Sequence, residues 1–282
     1  GGAGKQPGLS MHLQQALDHL NATGLARTEA RQLLLHVLGR PATDRAWLLS
    51  HGTDPLPEAA HTALLALAER SLAGEPLGYL TGQQAFYGLD LQVDARVLVP
   101  RPDTETLVDW ALDVLAPQPA AHVVDLGTGS GAIALALKHS RPSLQVQAVD
   151  YSEDALAVAR ANAQRLGLEV RFQQGSWLSG IAGPLDAIVS NPPYIREDDE
   201  HLPALRHEPR QALTAGADGL NDIRTIITQS RERLRQGGWL LLEHGYDQAP
   251  AVRTLLQEAG LAQVQSRNDL AGIARCSGGI WP

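Results

Sequence analysis

His-Val-Val-Asp-Leu-Gly-Thr-Gly-Ser-Gly, residues 122–131, decides the reading of this 282-residue chain. Val123, Val124 and Leu126 form a short apolar run with β-branched members, the composition of a strand buried on both faces of a parallel sheet. Gly127, Gly129 and Gly131 interrupt it, and Ile133, Ala134, Leu135 and Leu137 then take up a helical pattern. Glycines at a strand-to-helix turn let the backbone approach a ligand where the helix offers free N–H groups. Gly127, Thr128, Gly129, Ser130 and Gly131 are therefore candidate cofactor contacts. A second apolar run, residues 146–149, ends in Asp150, about 20 residues past the turn, where a carboxylate accepts ribose hydroxyls. Together these features point to a nucleoside-type cofactor. The competing reading is a tight structural turn and a solvated strand-end aspartate. Because Gly-x-Gly-x-Gly followed by Ala132 only partly matches the dinucleotide fingerprint, an oxidoreductase is the weaker alternative.

Strand and helix keep alternating downstream, which predicts a parallel sheet with helices on both faces. Ser152 is placed to cap a helix carrying Leu156, Val158, Ala159 and Ala163 that stops near Gly167. Val170 and Phe172 mark a third strand. Trp177 follows in a loop at the same sheet edge, positioned either to flank a bound base or to fill core. Residues 185–194, Leu-Asp-Ala-Ile-Val-Ser-Asn-Pro-Pro-Tyr, read as a buried strand running into a rigid turn. Pro192 and Pro193 have fixed φ and no N–H, so the strand must end near Asn191. The Asn191 side-chain oxygen and the Pro192 carbonyl are two acceptors suited to the two N–H donors of a planar NH2 group, and Tyr194 can cover its flat face. An ordinary tight turn is the alternative. Further on, the pattern predicts helices around Ile223, Ile226 and Ile227 and over residues 252–256. Strands are expected at 239–242, 262–265 and 273–276.

Upstream the pattern is helical. Leu13, Ala16, Leu17 and Leu20 share one face, and Leu33, Leu34, Val37 and Leu38 another. Trp47, Leu48 and Leu49 suggest a short third helix, and Pro57 starts a longer one carrying Leu64, Leu65, Leu67 and Ala68. This small domain holds no catalytic set, leaving partner binding or packing as its uses. The alternating Leu89, Leu91 and Val93, a turn at Asp94-Ala95 and Val97-Leu98-Val99 predict a β-hairpin linking the domains. Asp103 or Thr104 is expected to cap the next helix, and the cluster Arg101, Asp103 and Glu105 serves a ligand or a salt-bridge network.

The formal charge of −8 argues against an extended nucleic-acid surface, while leaving room for a local basic groove. Cys276 is the one cysteine, so intramolecular disulfides and multi-cysteine zinc sites are excluded and a reducing cytoplasm is expected. None of the ten histidines falls in a metal-ligand motif, and no metal is expected; His244 reads as structural. No apolar run reaches the roughly 20 residues that span a bilayer, so no membrane association is expected. Residues 1–10 read as an expression remnant or disordered tail.

Asp125 to Gly131, Asp150 and Asn191 to Tyr194 resemble motifs of class I S-adenosylmethionine-dependent methyltransferases acting on planar nitrogens. The wider set resembles the peptide chain release factor glutamine methyltransferases. It comprises Phe86-Tyr87-Gly88, residues 100–105, Glu208-Pro209 with residues 216–220, residues 242–245 and residues 269–272. The resemblance implies an α/β, Rossmann-like class I methyltransferase domain over 101–282, a β-hairpin linker over 83–100 and a helical substrate-recognition domain over 11–82. It further implies S-adenosylmethionine as cofactor, held by Gly127, Thr128, Gly129, Ser130, Gly131, Asp150, Trp177 and Asn191. Asn191, Pro192, Pro193 and Tyr194 would bind the glutamine of a release factor, with Asn191, Pro192 and Tyr194 catalytic and no direct nucleic-acid binding. Residues 276–279 depart from the family pattern, which calls for a more apolar closing strand. Adenine-N6 methyltransferases share Asn191 to Tyr194 and remain the alternative, along with a non-catalytic binding module.

Overall fold

The computed structural model describes residues 11–282, so the tail expected over residues 1–10 lies outside it. Two compact units meet in sequence between Gly82 and Gln83. The first is helical: α1 (Leu13–Ala22), α2 (Arg27–Val37), α3 (Arg45–Ser50), α4 (Glu58–Leu72) and α5 (Leu77–Thr81). Its core is almost wholly leucine and alanine, with Leu13, Leu20, Leu33, Leu34, Leu35 and Leu64 each at most 2% exposed. On α2 the expected Leu33 and Leu34 are buried and Val37 and Leu38 pack half-buried against the same core, with Ala30 and Leu35 also turned inward. In α3 only Leu48 is buried while Leu49 is exposed, because one turn of helix offers a single inward position. Helix α5 was not expected from pattern, being too short for periodicity to register.

The second unit opens with a hairpin, β1 (Gln83–Phe86) against β2 (Leu89–Gln92). Tyr87 and Gly88 both have positive φ, 50° and 76°, the mirror-image two-residue turn whose twist suits a hairpin. That turn corrects the expected pairing. Residues 89–92 fold back on 83–86, and residues 97–99 form no strand, the Val99 N–H being taken instead by Glu208 Oε1 at 3.1 Å.

The main sheet has seven strands in the order β5-β4-β3-β6-β7-β9-β8. They are β3 (His122–Leu126), β4 (Gln145–Asp150), β5 (Arg171–Gln174), β6 (Leu185–Ser190), β7 (Leu234–Glu243), β8 (Ala262–Asn268) and β9 (Ala274–Ile280). β3 to β7 pair in parallel, and β9 runs antiparallel between β7 and β8. Successive residues feed two separate cores, as strands covered on both faces must. Val123, Ala187, Val189 and Leu241 pack with α6 (Glu105–Leu115) and α7 (Ala132–Ser140), while Val124, Ile188, Leu240 and Leu242 pack with α9 (Asn221–Ser230) and α10 (Ala249–Ala259). Helix α8 (Glu153–Leu166) covers β4 and β5.

The atypical stretch 276–279 lies inside the sheet, not at its edge. A Cβ on Gly278 would meet the Leu240 carbonyl oxygen at 2.4 Å, and one on Gly279 the Ala262 oxygen at 2.9 Å. Side chains are missing there because neighbouring strands occupy their space. No helix among the described residues is long and apolar enough to cross a membrane.

Candidate active site

Parallel strands that share a direction deliver their last residues to one edge, and β3, β4, β6 and β7 bring theirs to the same place. At the end of β3, Gly127, Gly129 and Gly131 all take positive φ (69°, 55° and 88°), a conformation that L side chains resist. The Gly127 and Thr128 N–H groups both donate to the Val149 carbonyl, at 2.8 and 3.0 Å, tying the turn to β4. Asp150 closes it from the other side. Its carboxylate accepts from the Gly129 N–H and the Ser152 N–H, each at 2.9 Å, yet burial still raises its pKa against these donors. Ser152 caps α8 as expected, accepting from the Ala155 N–H at 3.2 Å.

Asp125 is wholly buried beneath the turn. Desolvation pushes its carboxyl up to about 7, although the Thr128 hydroxyl donates to it at 2.7 Å and the Ala134 N–H also lowers it. Trp177 packs beside the turn. It is half-buried against the core, and its ring lies 3.3 Å from where a Gly127 Cβ would stand, alongside the glycine turn.

Asn191 follows β6, whose Ser190 hydroxyl donates to the Leu126 carbonyl at 2.7 Å and pins the two strand ends together. The Asn191 Oδ1 is buried and has no hydrogen-bond partner. Such a buried acceptor is costly to leave unmade. Pro192 is buried, and Pro193 and Tyr194 are half-buried. The turn is held from behind: Gln248 Nε2 donates to the Tyr194 carbonyl at 3.0 Å while its Oε1 accepts from the Gly245 N–H at 2.7 Å. A Cβ on Gly219 would stand 2.2 Å from that same carbonyl oxygen, so the 216–220 segment fits only as glycine there.

The charged cluster resolves into an ion-pair network. Arg101 makes a two-pronged contact with Glu208 (2.7 and 2.6 Å), Arg275 lies 3.0 Å from Asp269 and 3.5 Å from Asp103, and Glu105 accepts from the Tyr87 N–H at 2.8 Å. The expected cap is corrected here. Neither Asp103 nor Thr104 bonds its side chain to the start of α6, because Asp103 faces Arg275 and a single 3-10 turn, Pro102–Thr104, precedes the helix.

Residues 106–268 match the Methyltransferase small domain family and residues 12–82 match the PrmC N-terminal domain family. The release factor glutamine methyltransferase of Bordetella pertussis is 51% identical over 93% of this chain and 97% of that one. The chain belongs to the release factor glutamine methyltransferase family. A second member, from Burkholderia pseudomallei, is 47% identical over 95% of this chain and 96% of its own. Among solved structures, a methyltransferase from Pyrococcus furiosus superposes with a TM-score of 0.52 at 19% identity, covering 74% of this chain and 94% of that one, a likeness of fold.

Two buried polar residues outside the predicted set lie beside the glycine turn and the end of β7. Asn162 is fully buried on α8; its Nδ2 donates to the Ser130 and Gln92 carbonyls at 2.9 and 3.0 Å and its Oδ1 accepts from the Gln92 N–H at 2.8 Å, fastening the hairpin to the glycine turn. The signal available in sequence was a polar residue on the helix face shared with Ala159 and Ala163. Glu243, the last residue of β7, is 3% exposed, and its Oε1 has no partner.

Proposed function

We propose that this protein transfers the methyl group of S-adenosylmethionine to the side-chain amide nitrogen of glutamine in the Gly-Gly-Gln motif of peptide chain release factors, in the cytoplasm. The observation that carries the proposal is the buried, unpartnered Asn191 Oδ1 on a turn stiffened by Pro192 and Pro193. In the reaction the methyl carbon leaves sulfur, whose bonding pair stays behind as the thioether lone pair, and the amide nitrogen forms the new bond. One N–H proton then passes to water. Resonance makes an amide nitrogen a poor nucleophile. Acceptors at Asn191 Oδ1 and the Pro192 carbonyl favour the more pyramidal, positive nitrogen of the transition state over the planar ground state. Tyr194 covers the amide, the 127–131 turn and Asp150 hold the donor, and Trp177 flanks it.

The experiment is incubation with labelled S-adenosylmethionine and either a release factor, the same factor with its Gly-Gly-Gln glutamine replaced, or DNA. Label is expected on the first alone. Equal labelling of the replaced factor overturns the glutamine assignment, and equal labelling of DNA overturns it in favour of adenine.

Asp150 carries its own expectation. Asp150→Ala removes two braces of the Ser152 and Gly129 backbone along with the ribose acceptor, so calorimetry should show S-adenosylmethionine binding weakened by about tenfold or more. Unchanged affinity would take Asp150 out of the donor site. The helical unit is proposed to engage the release factor. Deleting residues 11–82 should raise the release factor concentration needed for half-maximal rate while preserving donor affinity, and an equally active truncated enzyme would reduce the unit to packing.

A further inference from the structure

Glu243 is a carboxyl that the fold alone does not explain. It is 3% exposed, its Oε1 has no partner, and burying such a group without compensation is unfavourable. Its position is specific. Ser190 pairs with Leu242 across the parallel β6 and β7, so Glu243 closes β7 beside the point where the chain leaves β6 at Asn191, with the two strands about 5 Å apart at the backbone. Along β7 the side chain falls on the face of Leu241, against the segment leading into α6. The charged and titratable groups facing it are Asp103 and Arg101 from that segment, with the Thr104 hydroxyl, Tyr194 from the acceptor turn, and Arg275 and Cys276 from β9.

Methyl transfer moves a positive charge from sulfur to nitrogen, and a low-dielectric site amplifies any fixed charge nearby. We infer that Glu243 is a positioning residue for the reaction: ionised behind Tyr194, it supplies the negative charge against which the acceptor nitrogen becomes positive. This rests on the methyl-transfer reading above. Glu243 needs no bond to the substrate, and the proton still leaves to water.

Desolvation, the largest influence, and Asp103 raise the Glu243 pKa, while Thr104, Arg275 and Arg101 lower it, leaving it at about 7. The ionised fraction therefore grows through neutral pH, and kcat of the wild-type protein on release factor should rise between about pH 6 and 8. Asp125 is also carried to about 7, so the limb must be assigned by substitution. Glu243→Gln keeps the shape and removes the charge. It should lower kcat about ten- to a hundredfold at pH 8, leave KM for S-adenosylmethionine within about threefold and abolish the limb, whereas Glu243→Asp restores part of both. The folded protein holds this proton to higher pH than the unfolded chain does. Stability linked to Glu243 is thus lost as pH rises toward 7, and Glu243→Gln should melt at or above the wild-type temperature at pH 8.

Wild-type kcat flat from pH 6 to 8, a Glu243→Gln protein with wild-type kcat, or a limb that survives Glu243→Gln each overturns the inference. Failure of the wild-type protein to methylate release factor at all would instead sink the functional reading on which it rests.

Discussion

Replacing Asn191 with alanine is expected to slow methyl transfer about ten- to a hundredfold or more, while S-adenosylmethionine affinity changes much less. A hydrogen bond to a developing charge is worth roughly 1.5 to 3 kcal/mol, and each 1.4 kcal/mol off the barrier is about tenfold in rate. Oδ1 has no partner within the fold, so its loss removes no internal hydrogen bond at that atom. The deficit should therefore appear in the chemical step. Single-turnover transfer to release factor, measured beside donor calorimetry, separates the two effects. A variant that transfers at the wild-type rate would leave the Pro192 carbonyl as the sole acceptor and remove Asn191 from the mechanism.

Gly278→Val should have the largest effect on the fold. β9 lies between β7 and β8, with Gly278 paired to Leu241, and any Cβ there would meet the Leu240 carbonyl oxygen at 2.4 Å and Leu241 Cδ2 at 2.8 Å. Backbone on one side and buried core on the other leave nothing flexible to yield, so the strands must part. The expected loss exceeds about 4 kcal/mol, a large share of the roughly 5–15 kcal/mol that holds a domain together. Urea unfolding followed by circular dichroism would measure it. Gly272→Ala is the contrast: the residue has φ of 82° but open space around it, so its cost is confined to backbone strain of about 1 to 3 kcal/mol. Equal stability of Gly278→Val and the wild type would show that β9 is not held between its neighbours.

Local chemistry made much of this chain legible before folding. The strand over residues 122–126, the Ser152 cap and the strand ending at Asn191 were all fixed by short-range rules: apolar runs, a side-chain oxygen before a helix, and prolines that cannot continue a ladder. The turn after β6 was readable for the same reason, since two consecutive prolines dictate their own conformation. Other features depended on partners distant in sequence. Ser277-Gly278-Gly279 has no strand-forming pattern, yet it is sheet interior, because the carbonyls of Leu240 and Ala262 leave no room for a side chain. Residues 97–99 look like a strand, but the Tyr87-Gly88 turn had already supplied β2 with its partner. The burial of Asn162 and Glu243 was invisible in the sequence, since the surroundings of a polar group are set by remote segments. Sequence by itself determined most of the strands and helices of the main sheet and the rigid turn after β6; the tertiary structure decided strand neighbours, the fate of residues 97–99 and 277–279 and where buried charge lies, because pairing and desolvation arise only once remote segments pack.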